Sequence, residues 1–241
     1  MAAGLLIVLA GNVGPASLAA TGDYDVLFRA GLDLSAERAP VVQAHRDEAL
    51  PDPTRFAGVV VSGSIAMVTE GRAWMQRLGR WMQTCHEAGV PLLGVCFAHQ
   101  LLALMRGGRV ADNPRGPEYG SYTLATTAAA GADPLFAGLP SRPLVHEQHV
   151  QAVVDLPPGA VVLAATARDP CNAVRYGPGL WGVQFHPESL PVNVHNAIDA
   201  MHAILTADGQ DPAACRATIA ASPVGPALLR RFRRTICGLA D

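Results

Sequence analysis

The sequence predicts an α/β fold in which helices flank a mostly parallel central sheet that carries a smaller antiparallel addition. Three observations predict it. Short unbroken apolar runs end in Gly and Ser turns; helical periodicity fills the chain between them; and the second half breaks into short strand candidates separated by Pro and Gly. Residues 5–10 form the first run, stopped by Gly11, Asn12 and Gly14, as suits a strand buried on both faces. Residues 57–61 repeat the pattern after Pro51 and Pro53 and end at Ser62-Gly63-Ser64. Between 74 and 88, Trp74, Leu78, Trp81, Met82 and Cys85 recur at helical spacing, and Gly89 stands where a helix stops. Residues 91–95 make a third buried strand, Cys96 follows at once, and 98–105 read as a helix ended by Gly107 and Gly108.

The second half gives short strands at 122–127, 144–145, 161–165 and 173–176, which suggest an added, partly antiparallel layer. A further buried strand at 180–185 runs directly into His186-Pro187-Glu188, and 193–205 read as a helix. Beyond Thr206 comes a polar stretch, then a peripheral helix over 227–236 whose Arg230, Arg231, Arg233 and Arg234 form a solvated face. With no repeat or linker, residues 1–205 read as one domain, and 206–241 as a helical extension packed on it.

Composition narrows the function. The chain has 241 residues, half of them apolar, and a net charge of −2 from 18 basic and 20 acidic side chains. That balance excludes a disordered polyelectrolyte and argues against nucleic-acid binding, which needs a concentrated basic face. Every basic residue is arginine, so no lysine Schiff base, P-loop lysine or ammonium base can operate. Gly11-Asn12-Val13-Gly14 lacks the third glycine and downstream acid of a dinucleotide site, and no cofactor is expected. The five cysteines are odd in number and form no Cys-x-x-Cys pair, as in reduced cytoplasmic thiols. Residues 1–20 faintly mimic a leader, but no Lys or Arg precedes the apolar run, which is also too short to span a bilayer. No membrane association is expected.

Two segments carry chemistry. In Gly94-Val95-Cys96-Phe97-Ala98-His99-Gln100, a cysteine sits at a strand tip and enters a helix through small neighbours, the setting of a nucleophile elbow. The helix N-terminus aimed at the thiol favours its thiolate; the plainer alternative is a buried, inert cysteine. His186 and Glu188 flank Pro187 just past another strand, where residues two apart share a face, so Glu188 can orient an imidazole that addresses the thiol. Both segments fall at strand C-terminal ends, where ligands collect in parallel sheets.

With these residues in place, the sequence resembles the class I glutamine amidotransferases, whose triad is Cys…His-x-Glu. The resemblance spans roughly residues 4–200 and is nearest to stand-alone proteins similar to the glutaminase half of GMP synthase. It rests also on Ser62-Gly63-Ser64, on the run around Cys96, on Gly107-Gly108-Arg109-Val110 and on Gly182 through Glu188. It implies a flavodoxin-like fold, Cys96 as nucleophile, His186 as acid/base and Glu188 as its orienting carboxylate. It further implies that Gly63 or its neighbour and the N–H of Phe97 form an oxyanion hole, and that Ser64 and Gln100 bind the substrate, Gln100 at its amino-acid end. Gln148, His149, Val150 and Gln151 would line the pocket. Ala98 departs from the family, standing where the motif has its second glycine.

A zinc site at His146 and His149 lacks completing ligands, so no metal is expected. Glu118-Tyr119-Gly120 reads as structural, with buried hydrogen bonding. The implied activity is hydrolysis of glutamine, or of a γ-glutamyl peptide or conjugate, through a cysteine thioester. The residues after Glu188 are too few for a synthetase, so the ammonia acceptor would be a separate synthetase subunit or absent. Two rivals remain: a non-catalytic binding or regulatory module on the same fold, and an α/β-hydrolase with a cysteine nucleophile. The latter requires Glu188 to lie out of reach of His186.

Overall fold

A computed structural model describes residues 4–240; residues 1–3, part of the stretch weighed above as a leader, and residue 241 lie outside the described residues. In chain order the strands are β1 (Leu5–Leu9), β2 (Val41–Gln43), β3 (Gly58–Val61), β4 (Leu92–Val95), β5 (Arg109–Asp112) and β6 (Glu118–Thr123). They continue with β7 (Ala125–Thr126), β8 (Leu144–His149), β9 (Gln151–Asp155), β10 (Val161–Ala165), β11 (Ala173–Gly177) and β12 (Leu180–Val183). The helices are α1 (Pro15–Thr21), α2 (Tyr24–Leu32), α3 (Ala73–Glu87), α4 (Phe97–Met105), α5 (Ala128–Ala132), α6 (Pro191–Ala200), α7 (His202–Ala207), α8 (Pro212–Ala217) and α9 (Val224–Arg231).

The main sheet has the order β2-β1-β3-β4-β12-β11-β10-β7. Its first five strands are parallel, with Leu180 to Val183 of β12 in register against Leu92 to Val95 of β4. Of the short strands of the second half, β11 pairs with β12, β10 with β11 and β7 with β10, so these continue the sheet as an antiparallel edge, while 122–123 and 144–145 fall in the separate antiparallel pair of β6 and β8. Two further two-stranded sheets, β5-β9 and β6-β8, stand outside it. β3, β4 and β12 are neighbours, so the turns leaving their C-terminal ends meet.

Side-chain alternation divides β1 between two cores. Leu5, Ile7 and Leu9 pack with Phe28 and Leu32 of α2 and Leu228 and Leu229 of α9; Leu6 and Val8 pack with Met75, Leu78 and Met82 of α3 and Leu101 and Leu102 of α4. The C-terminal helix is therefore not peripheral. Phe232 is fully buried, meets Trp181 edge-on, and is followed by Arg233, only 1% exposed, which donates to the Asp33 carbonyl. A run of four arginines read as a solvated face, but the apolar stripe Leu228, Leu229, Phe232 faces α2 and draws Arg233 inward with it. Two other expected elements are split. Residues 122–127 break at the fully buried Leu124 into β6 and β7, and the helix expected over 193–205 turns at Met201 into α6 and α7.

Gly94 is where the strand-to-helix turn is tightest. A Cβ there would stand 3.0 Å from the Ala98 carbonyl carbon and 3.1 Å from its oxygen, which are backbone atoms of the first turn of α4. Gly94→Ala should therefore displace the turn that carries Cys96 and cost about 1–3 kcal/mol of stability. A urea melt checks this; an unchanged midpoint would show that the turn has slack.

Candidate active site

Cys96 sits between β4 and α4 with φ 50° and ψ −103°, a left-handed conformation that a residue with a Cβ adopts only when its surroundings hold it there. The hold is visible: the Cys96 N–H donates to the Val183 carbonyl of β12, and its carbonyl accepts from the Gln100 N–H. This is the geometry of a nucleophile elbow, with the thiol thrown above the sheet edge at the N-terminus of α4. The side chain is nearly buried.

The chain leaving β12 supplies the next group. The His186 N–H donates to the His146 carbonyl, which anchors this segment to β8. His186 Nδ1 lies 2.7 Å from Glu188 Oε1, both side chains buried, and the ring is within hydrogen-bonding reach of the Cys96 thiol. Burial alone would push the imidazole toward its neutral form. The Glu188 carboxylate and Cys96 outweigh it and hold the His186 pKa well above the ordinary histidine range. An α/β-hydrolase arrangement, which needs Glu188 out of reach, does not fit this contact.

Gly63 closes the site from β3. A Cβ on it would come 2.9 Å from His186 Cε1 and 3.5 Å from Cys96 Cβ, so only glycine permits this approach. Among the described residues, the N–H groups of Gly63 and Phe97 have no acceptor. Ser64 lies on the cavity wall, with its hydroxyl accepting from the Ala66 N–H. Tyr24, at the start of α2, was missed by sequence reasoning. Its ring stacks on His186 with centroids 6.3 Å apart and planes 9° from parallel. Burial, with Glu188 next, pushes its phenol pKa well up, so it stays neutral. No motif marks it; only the register of α2 brings it there.

The other expected site residues divide by what their side chains touch. Gln100 lines the cavity, but its Nε2 donates to the Gln151 carbonyl and to Gln184 Oε1, so it braces the wall. Gln148 reaches Ser189, and Gln151 reaches Thr69 and Asp112. Val150 lines the cavity directly. The His149 side chain turns away into a buried knot. Its Nδ1 lies 3.0 Å from the Gln151 carbonyl, and its Nε2 lies 3.1 Å from Glu118 Oε2 and 3.5 Å from Glu147 Oε2.

Thr166 donates to Glu118 and Asn172 to Glu147, which ties the loop before β11 to β6 and β8. Glu118, Glu147 and His149 also form the one group of described residues whose ligand atoms come together closely enough to hold a metal, within 4.8 Å of one another. Burial, reinforced by Glu118 and Asp169, pushes the Glu147 carboxyl well up. His146 points elsewhere, to Ser121, and burial lowers its pKa to about 4.

Burial pushes Cys85 and Cys237 up to about 12 and Cys171 up to about 11, leaving them as unreactive thiols. His99, beside the elbow, is lowered by burial to about 3 and meets Tyr176. Among the described residues no helix is long and apolar enough to cross a membrane.

Comparison with known proteins identifies the family. The family model for "Glutamine amidotransferase class-I" matches residues 26–198. GMP synthase [glutamine-hydrolyzing] of Thermomicrobium roseum is 35% identical over 183 residues, covering 76% of this chain and 27% of that protein. One subunit of the GMP synthase [glutamine-hydrolyzing] of Pyrococcus abyssi is 35% identical over 133 residues, covering 55% of this chain and 66% of that one. Gamma-glutamyl peptidase 5 of Arabidopsis thaliana is 30% identical over 139 residues, covering 57% and 55%. The chain thus spans only part of the length of the curated relatives it matches.

A crystal structure of a glutamine amidotransferase from Thermotoga maritima superposes with a TM-score of 0.76, covering 98% of this chain and 99% of that one. At 19% identity it speaks for the fold alone. The matched span holds Cys96, His186 and Glu188, and the chain belongs to the class I glutamine amidotransferase family.

Proposed function

We propose that the protein hydrolyses a γ-glutamyl amide through a Cys96 thioester, releasing glutamate and ammonia or an amine. The observation that carries this reading is the convergence of Cys96, His186 and Glu188 at the adjoining C-terminal ends of β4 and β12. The Cys96 thiolate attacks the side-chain carbonyl carbon, forming a C–S bond and an oxyanion. The Gly63 and Phe97 N–H groups receive that oxyanion, each such donor being worth on the order of 3 kcal/mol in the transition state. His186 passes its proton to the departing nitrogen as the C–N bond breaks, then takes a proton from the water that hydrolyses the thioester. Glu188 holds the ring and stabilises its charge.

The backbone from Gln148 to Gln151 borders the part of the cavity assigned to the α-amino and α-carboxylate groups. Ammonia is delivered to a separate synthetase subunit or released to solvent. The five free cysteines fit a reducing, cytoplasmic setting. A second reading, cleavage of γ-glutamyl conjugates without any acceptor, is favoured by the cavity over Cys96. At about 560 Å³ it is well beyond what a bound glutamine displaces.

A glutamine-derived diazoketone tests the mechanism. One mass equivalent is expected on Cys96, absent from Cys96→Ala; labelling of Cys85, Cys171, Cys215 or Cys237 in its place overturns the assignment.

A further inference from the structure

The cavity over Cys96 is lined by polar and apolar elements. On one side stand the Gln148 to Gln151 backbone and Tyr119. The rest spreads over α1, α6 and the loop after β3, where the wall is formed by Pro15, Ile65, Met67, Ala197, Ala200 and Met201. Ile65, in the loop after β3, is 79% exposed.

The amide nitrogens on this wall are already engaged. Asn193 donates to Thr21 Oγ1 at 2.9 Å and accepts from the Leu190 N–H at 2.9 Å, while Asn196 donates to Ser17 Oγ at 3.3 Å. Among the described residues no arginine lines the cavity, and its one carboxylate, Asp199, is ion-paired with Arg216. A carboxylate on the leaving group would find no cation here, and a sugar or nucleotide would find few free hydrogen-bonding partners. An alkyl or arylalkyl group would cover apolar surface at no polar cost.

We propose that the α1/α6 part of the cavity binds the amine half of a γ-glutamyl amide formed with an uncharged, apolar primary amine. The substrate class is then the N-alkyl or N-arylalkyl γ-glutamyl amides, in preference to free glutamine and to γ-glutamyl peptides that end in a carboxylate. This rests on the thioester reading above. The chemistry balances in the same way: the C–N bond breaks, the amine leaves with the His186 proton, and water supplies the oxygen of glutamate and restores that proton.

Glutamate release from L-glutamine, γ-glutamylglycine and the γ-glutamyl methyl-, ethyl-, propyl- and butylamides tests the proposal. Along the amide series kcat/KM should rise about three- to fourfold per added methylene, and γ-glutamylglycine should fall below the ethylamide. Ala200→Arg should narrow or reverse the ratio between butylamide and γ-glutamylglycine. A flat or falling series with glutamine still cleaved overturns the apolar subsite and leaves the thioester mechanism standing. If the folded wild-type protein cleaves none of these compounds, the thioester reading fails. Calorimetric binding of the same series to Cys96→Ala then decides the subsite, where rising affinity supports it and equal affinities overturn it.

Discussion

Cys96→Ala should lower glutamate release by at least about 10⁴-fold, the scale on which removal of a triad nucleophile acts. Cys171→Ala should leave it within about twofold, since a buried thiol held up near 11 takes no part in chemistry. The contrast is clean because the substitution at 96 preserves the fold. Alanine keeps the Cβ that cysteine presents at φ 50°, so the strain of the elbow is neither relieved nor increased. The N–H to Val183 and the carbonyl to Gln100 are backbone bonds and survive. Only the sulfur is lost, along with its contribution to the raised pKa of His186. Equal melting temperatures with unequal turnover are therefore expected. Retention of full turnover by Cys96→Ala would mean that the chemistry lies elsewhere.

The strands that position Cys96 and His186 were legible because β1, β3, β4 and β12 are buried on both faces and read as unbroken apolar runs. β8 was hard to read. Its sequence is polar from His146 to His149, and it buries His146 and Glu147 on opposite faces, where they hydrogen-bond to Ser121 and Asn172 on distant segments. No local pattern reports such partners, so only 144–145 stood out. β5 and β9 are a short pair outside the main sheet and lay below the same threshold.

At the site, Cys96, His186, Glu188 and Gly63 were readable because each sits at a strand end with a recognisable motif. Gln100 and His149 were placed in the right neighbourhood, yet their side chains serve the wall and the buried knot. Sequence position locates a residue on an element; which polar partner its side chain takes depends on the tertiary arrangement. Tyr24 shows the converse, a side chain without any motif that stacks on the candidate base. The arginine-rich tail misled for a related reason. Charge is the strongest surface signal in a sequence, and it masked the stripe of Leu228, Leu229 and Phe232 that docks α9 on α2.

Glu188→Gln should reduce kcat by about 10²- to 10⁴-fold and move the basic limb of the pH–rate profile to lower pH. Glu188 accepts from His186 Nδ1, which leaves Nε2 free to face the thiol. A glutamine can still accept through Oε1, but it can also rotate and present an N–H, which fixes the imidazole in the wrong tautomer. Its amide hydrogens would fall where Glu188 Oε2 now has no partner, so a modest stability loss of about 1–3 kcal/mol should accompany the variant.

The sign of the pH effect follows from charge. Of the groups acting on His186, burial favours the neutral ring while Glu188 and Cys96 favour the imidazolium. Deleting the Glu188 charge lowers the histidine pKa, so the proton needed by the leaving nitrogen is lost at a lower pH than in the wild type. Glu188→Asp, which keeps the charge but shortens its reach, should retain more of the wild-type basic limb than Glu188→Gln. If Glu188→Gln keeps both wild-type turnover and the wild-type basic limb, the carboxylate does not act on His186 during the reaction, and the tautomer must be set by Tyr24 stacking and the anchored backbone at His146.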